Sequence, residues 1–161
     1  MENLKTDFIV KFGIILLLLF YGRTSPILLA SNDTLLIKGC INQMFEGMSS
    51  FDSSLVRKSF ADDFVLKSVI KSKIGETSLK KESGDSFLKI IGTKKPNVKY
   101  EERLLSFTIM IDKDMAVVWT PYHFYLNETF SHCGVNVFTM IKIKGDWKIM
   151  SITDTRRKED C

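Results

Sequence analysis

The stretch 131–155 constrains this chain more than any other. It runs Ser-His-Cys-Gly-Val-Asn-Val-Phe-Thr-Met-Ile-Lys-Ile, then Lys-Gly-Asp, then Trp-Lys-Ile-Met-Ser-Ile-Thr-Asp-Thr. Rich in β-branched and aromatic residues and broken by a Gly-centred turn, it predicts two long paired strands. Two more such segments, 98–111 and 115–126, precede it. The turns Asp112-Lys113-Asp114, Asn127-Glu128-Thr129 and Lys144-Gly145-Asp146 join all four into an antiparallel meander.

Ahead of the sheet the periodicity is helical. Ser31, Asn32 and Asp33 offer capping side chains, and Ile37, Ile41, Met44, Phe45 and Met48 recur at helix spacing up to about Ser49. Asp52 is a good N-cap for a short second helix carrying Leu55, Val56 and Phe60. A strand over 64–70, a weaker one over 77–81 and a third short helix over 85–91, closed by Gly92, complete the first half. Helical segments followed by a curved sheet define an α+β domain.

At 161 residues, 45% of them hydrophobic, the chain has room for one domain and a little more. The first thirty residues read as a signal peptide: Lys5 and Lys11 lead an apolar run over 13–21, Arg23 closes it, and Ala30 offers a cleavage point. The run is shorter than the roughly 20 residues that span a bilayer. An uncleaved anchor extended by residues 27–30 is the rival reading. A lipid anchor at Cys40 is disfavoured by Lys38 and by its distance from the apolar run. The expected organisation is therefore a signal over 1–30 and a domain over 31–161, periplasmic or secreted, with no membrane contact after cleavage. The net charge of +4 is small, and the basic run 155–158 is followed at once by Glu159 and Asp160. A solvated tail, not a nucleic-acid surface, is the expectation.

Export makes the three cysteines informative, because an oxidising compartment favours pairing. A turn centred on Gly145 sets position 133 opposite about 157, so Cys133 with Cys161 is the preferred disulfide. Cys40 falls on the apolar side of the first helix, as a buried free thiol would. One His beside one Cys, at 132 and 133, is no metal-ligand set, and no cofactor motif is present.

Two ends of the chain resemble a known family. Glu46-Gly47, Asp52 and Ser59-Phe60 leading to Phe64 resemble the opening of small exported bacterial proteins of the NTF2-like superfamily. Ser131-His132-Cys133-Gly134, Trp147-Lys148-Ile149 and Asp154-Thr155-Arg156-Arg157 resemble the group within it named for lumazine binding. The resemblance implies an NTF2-like cone: three N-terminal helices packed on a strongly curved antiparallel sheet, a pocket between them, and often a homodimer through the outer sheet face. The superfamily holds isomerases, dehydratases and non-catalytic members, so the fold licenses no one activity.

Treating each turn as symmetric divides the sheet residues into two sets. Leu105, Phe107, Ile109, Val117, Trp119, His123, Cys133, Val135, Val137, Ile141, Trp147 and Ile149 share one face. Thr108, Val118, Tyr122, Phe124, His132, Asn136, Phe138, Lys142, Lys148, Asp154 and Arg156 share the other, and a single bulge would invert part of this division. The first set is nearly all apolar and is expected inside. The second would then be an outer face, with Tyr122, Phe124 and Phe138 covered by a second subunit. Phe107, Trp119 and Tyr125 become the walls of a ligand pocket and His123 its polar handle.

Three functions compete on this reading. A non-catalytic exported domain would bind a small apolar or aromatic ligand. An isomerase- or dehydratase-type enzyme would pair His123 with Asp62 or Asp63 at the rim, although a lone His among aromatics is also an ordinary core residue. A dimeric interaction module would use the outer face and need no ligand. The first is preferred.

Overall fold

The computed structural model describes residues 26–72, 74–93 and 97–161. The expected signal segment lies outside the described residues apart from its last few positions. The order of elements is α1 (Pro26–Ser50), α2 (Ser53–Lys58), β1 (Phe60–Lys71), β2 (Thr77–Ser83), α3 (Gly84–Gly92), β3 (Tyr100–Leu104), β4 (Thr108–Asp112), β5 (Met115–Leu126), β6 (Thr129–Ile143) and β7 (Asp146–Thr155). Residues Asp33–Cys161 pack as one unit. No helix among the described residues is long and apolar enough to cross a membrane.

Helix α1 runs through the expected cap at 31–33, and Asp33 has a different task. Its carboxylate accepts from Lys142 Nζ at 2.7 Å and from Trp147 Nε1 at 3.0 Å, tying the helix to the sheet. Asp52 does cap α2, accepting from Leu55 N–H. The third helix is not N-terminal with the other two. It follows the β1–β2 hairpin, capped by Ser83.

All seven strands form one sheet, ordered β2-β1-β7-β6-β5-β3, with β4 also on β5. The sheet is mixed, because β1 lies parallel to β7 while the other pairs are antiparallel. The long strand expected over 98–111 breaks into β3 and β4, which pair with successive halves of β5.

The turns explain the register. Three pairings close on two residues: Asp112 faces Met115, Leu126 faces Thr129 and Ile143 faces Asp146. Lys144 (φ 53°) and Gly145 (φ 93°) take the left-handed conformations that such hairpins need. One unpaired residue downstream of each later turn, Ser131 in β6 and Met150 in β7, then restores the register that a symmetric turn would give. Cys133 consequently faces Arg157, and the Cys133–Cys161 disulfide forms as expected. Near the turns the parity differs. Ile109 pairs with Val118 and Trp147 with Lys142, so these residues leave the set in which sequence symmetry put them.

The interior lies on the other face from the one expected. Val118, Phe138 and Met140 are fully buried, packed with Ile37, Ile41 and Met44 of α1 and Val56 of α2, whereas Trp119 is 50% exposed. Each such buried aliphatic side chain contributes about 2 kcal/mol. The expectation failed because the true inner face carries the polar residues of a cavity and so resembles a solvated surface. Apolar content alone chose the wrong side.

Candidate functional site

A cavity of about 500 Å³ opens between the sheet's inner face and the helices. Met44, Phe45 and Met48 from the end of α1 and Phe87, Ile90 and Ile91 from α3 supply an apolar wall. Both helices present these residues at spacings of three and four, which place them on one side. A smaller recess of about 220 Å³ is also bounded by Phe45, Met48, Tyr100, Glu102 and Phe124.

The sheet supplies the polar wall. Alternation along β3 puts Tyr100, Glu102 and Leu104 on one side. Asn136 Nδ2 donates to Glu102 Oε1 at 2.6 Å, and among the described residues no hydrogen bond engages Oε2. Burial against the apolar helices pushes the Glu102 carboxyl up to about 7, with nearby Asp154 adding to the effect against the opposing Asn136 bond. Asp154 is itself buried and fully engaged: Ser68 Oγ donates to Oδ1 and Arg156 Nε to Oδ2 at 2.7 Å. Tyr122 lines the same wall with its hydroxyl donating to the Thr155 carbonyl at 3.0 Å, and burial raises its phenol far above the ordinary value.

His132 stands beside these groups. Its ring meets Phe124 at 4.9 Å and Tyr122 edge-on at 5.9 Å, and Nδ1 lies 3.1 Å from Ser131 Oγ. Burial and the Arg156 charge both lower its pKa, favouring the neutral ring. In the tautomer in which Ser131 Oγ donates to Nδ1, the ring carries its proton on Nε2 and is a donor. Arranged this way, a carboxyl titrating near neutrality with one free oxygen lines the same chamber as a neutral imidazole, which lies two strands away across Phe124. Such a set can bind a small ring and move a proton on it.

The residues singled out from the sequence lie elsewhere. Neither Phe107, Trp119, His123 nor Tyr125 lines the cavity. Phe107 packs against the core beneath Lys38, Tyr125 lies under the Arg103 guanidinium at 4.0 Å, and Trp119 is on the outer face. His123 packs edge-on against Phe130, and its buried Nε2 has no hydrogen-bond partner among the described residues. Asp62 is exposed and paired with Arg57, and Asp63 is exposed in the β1 irregularity. Conversely, Tyr122 and Phe124, expected at a subunit interface, line the cavity, and Phe138 is fully buried within the fold. Sequence reading missed Glu102 altogether. The apolar-polar-apolar series Tyr100, Glu102, Leu104 on one strand face was the available signal. Cys40 is the free thiol expected, raised to about 11 by burial and donating to the Ser59 carbonyl. Among the described residues no group of three or more His, Cys, Asp or Glu is placed to hold a metal ion.

This architecture, helices closing a chamber over a curved mixed sheet, is that of the NTF2-like proteins with a cystatin-like fold. A protein of unknown function from Mycobacterium tuberculosis aligns at 13% identity with a TM-score of 0.68, over 84% of this chain and 78% of that one. An NTF2-like protein from Novosphingobium aromaticivorans aligns at 14% identity and TM-score 0.63, over 87% and 95%. A Streptomyces avermitilis member provisionally named a dehydratase aligns at 13% and 0.61, over 80% and 98%. No family model matches the sequence, and no curated protein matches it. At these identities the likeness is one of fold alone.

Proposed function

We infer that this is a small-molecule enzyme of the isomerase or dehydratase kind, with Glu102 as its general base. The carrying observation is Glu102 itself: a carboxyl held near 7, one oxygen fixed by Asn136 and the other free, at the wall of an apolar chamber. The ionised Oε2 would take a proton from carbon beside a carbonyl, and the electron pair would move into the enolate. A donor such as His132 would receive the charge on oxygen. Returning the proton elsewhere gives isomerisation, whereas loss of a β-hydroxyl as water gives dehydration. The provisional name of the Streptomyces avermitilis neighbour belongs to the same class of chemistry. A purely binding role is the weaker reading, because a ligand-holding wall needs no carboxyl poised at neutrality.

The test uses deuterium exchange. A panel of small cyclic ketones and β-hydroxy ketones is incubated with the protein in heavy water, and loss of α-proton NMR signal is followed. Glu102→Gln should abolish any exchange the native protein catalyses, and the native rate should rise with pH through about 7. Ketones that occupy the chamber, by saturation transfer, yet exchange no faster than in buffer would overturn the assignment.

Two further points belong to this reading. The Cys133–Cys161 disulfide supports an exported protein working in an oxidising compartment. The outer sheet face, where Met110 (64% exposed), Trp119 and Met115 (each 50%) surround Val117 and Val137, is the surface we assign to a homodimer in place of Tyr122, Phe124 and Phe138.

A further inference from the structure

The strand register brings five polar residues into one line across the sheet. Lys80 of β2 faces Ser68 of β1, Ser68 faces Asp154 of β7, Asp154 faces Asn136 of β6, and Asn136 faces Thr120 of β5. Register partners point to the same side, and the first four of these line the cavity. The line is graded. Thr120, Asn136 and Asp154 are buried, Ser68 is partly buried, and Lys80 is exposed.

Charge along the line is unequally satisfied. Asp154 and Arg156 neutralise each other, and Asn136 is spent on Glu102. Glu82, at the same wall and two residues from Lys80, accepts from Ser86 and has no ion-pair partner of its own among the described residues. Lys80 is a cation of the cavity wall with no ion-pair partner among the described residues, whereas Lys67, in register with Thr153, alternates to the face opposite Ser68 and Lys80. Neighbouring strands lie roughly 4.8 Å apart, so about 14 Å separates the backbone at Lys80 from that at Asn136. Allowing for inward-reaching side chains, that length suits a molecule of one or two rings.

We propose that the ligand is an amphipathic organic anion, its ring-sized apolar body against Met44 and Ile91, its carboxylate, sulfonate or phosphate at Lys80, and its reacting end at Glu102. This rests on the reading of the cavity as the ligand site and adds the chemical class and orientation of what enters it. Lys80 is a specificity-determining residue in this arrangement. It selects the anion and directs the opposite end inward, without touching the reacting atoms.

Two fluorescent probes separate the possibilities. Anilinonaphthalene sulfonate and N-phenylnaphthylamine share an aromatic body, and only the first carries an anionic group. The native protein should bind the sulfonate about fivefold more tightly, the scale of a partly exposed charge pair. Lys80→Met should remove the preference while leaving affinity for the neutral dye unchanged, and Lys67→Met, on the opposite face of the strand, should keep it. Ile91→Trp, which fills the chamber, should weaken both dyes. Equal binding of the two dyes, or a preference that survives in Lys80→Met, overturns the anion proposal while leaving the cavity reading intact. Binding of neither dye, or binding untouched by Ile91→Trp, removes the cavity reading and this proposal with it.

Discussion

Asn136 donates a 2.6 Å hydrogen bond to Glu102, joining the middle of β6 to β3 across the intervening β5. That contact fixes a carboxyl whose burial holds it near 7 against the lowering effect of the bond itself.

A carboxyl raised from its ordinary value of 4.5 to about 7 makes the folded state bind more protons than the unfolded chain between those limits. Stability contributed by this group is therefore full below about 4.5, declines as pH rises to about 7, and is flat above. Glu102→Gln should remove that slope. Urea melts at pH 4.5 and pH 8 should show the variant gaining on the native protein by about 2 kcal/mol between them, allowing for water in the chamber.

Asp33 anchors the start of the helical layer, and its partners Lys142 and Trp147 hold its carboxyl below the usual range. Asp33→Ala strands a partly buried ammonium and an indole N–H, so a loss of about 1–2 kcal/mol at pH 7 is expected. The native stabilisation should itself fade in acid, as pH falls through the lowered value. Denaturant melts of both proteins at pH 7 and below pH 3 measure it.

Gly134 admits no side chain. A Cβ there would lie 1.8 Å from the Thr155 carbonyl oxygen, which is backbone and cannot rotate away. Gly134→Ala should cost more than about 2 kcal/mol and weaken the Tyr122–Thr155 bond beside the cavity. A melting temperature within a degree of the native value would contradict this packing.

The Cys133–Cys161 bridge closes 28 residues. Chain-entropy reasoning gives about 3.6 kcal/mol for a loop of that size, an upper figure for replacing both cysteines with Ser. Amide exchange should locate the change in the tail: the Arg157 N–H, bonded to the Cys133 carbonyl, should lose protection first.

Trp119→Glu tests the outer face. Sedimentation should report a dimer for the native protein and a monomer for the variant, with thermal stability of the isolated subunit within a few degrees of the parent.

Much of the fold was legible in the chain because its signals are local. The strand-turn-strand over 131–155, the Asp52 cap and the short helix over 85–91 each follow from neighbouring residues, although Thr93 and not Gly92 caps that helix. The disulfide was legible because the extra residue at 150 cancels the shortness of the β6–β7 turn. The parallel pairing of β1 with β7 joins residues nearly ninety positions apart, such as Phe60 and Ile149, and leaves no local trace. The site was hidden by its own chemistry: Tyr122, Asn136 and Asp154 resemble a wet exterior, while Val117, Trp119 and Val137 resemble a core.

Met150 has no opposite number on β6, and the last strand changes phase there. Before it, odd-numbered Trp147 and Ile149 face inward, and after it the even-numbered Ile152, Asp154 and Arg156 do. One supernumerary amino acid thus decides whether the chamber is furnished with acid and guanidinium or with Thr153 and Thr155. A lineage could exchange one chemistry for another by losing a single codon there, with the hairpin that precedes it untouched.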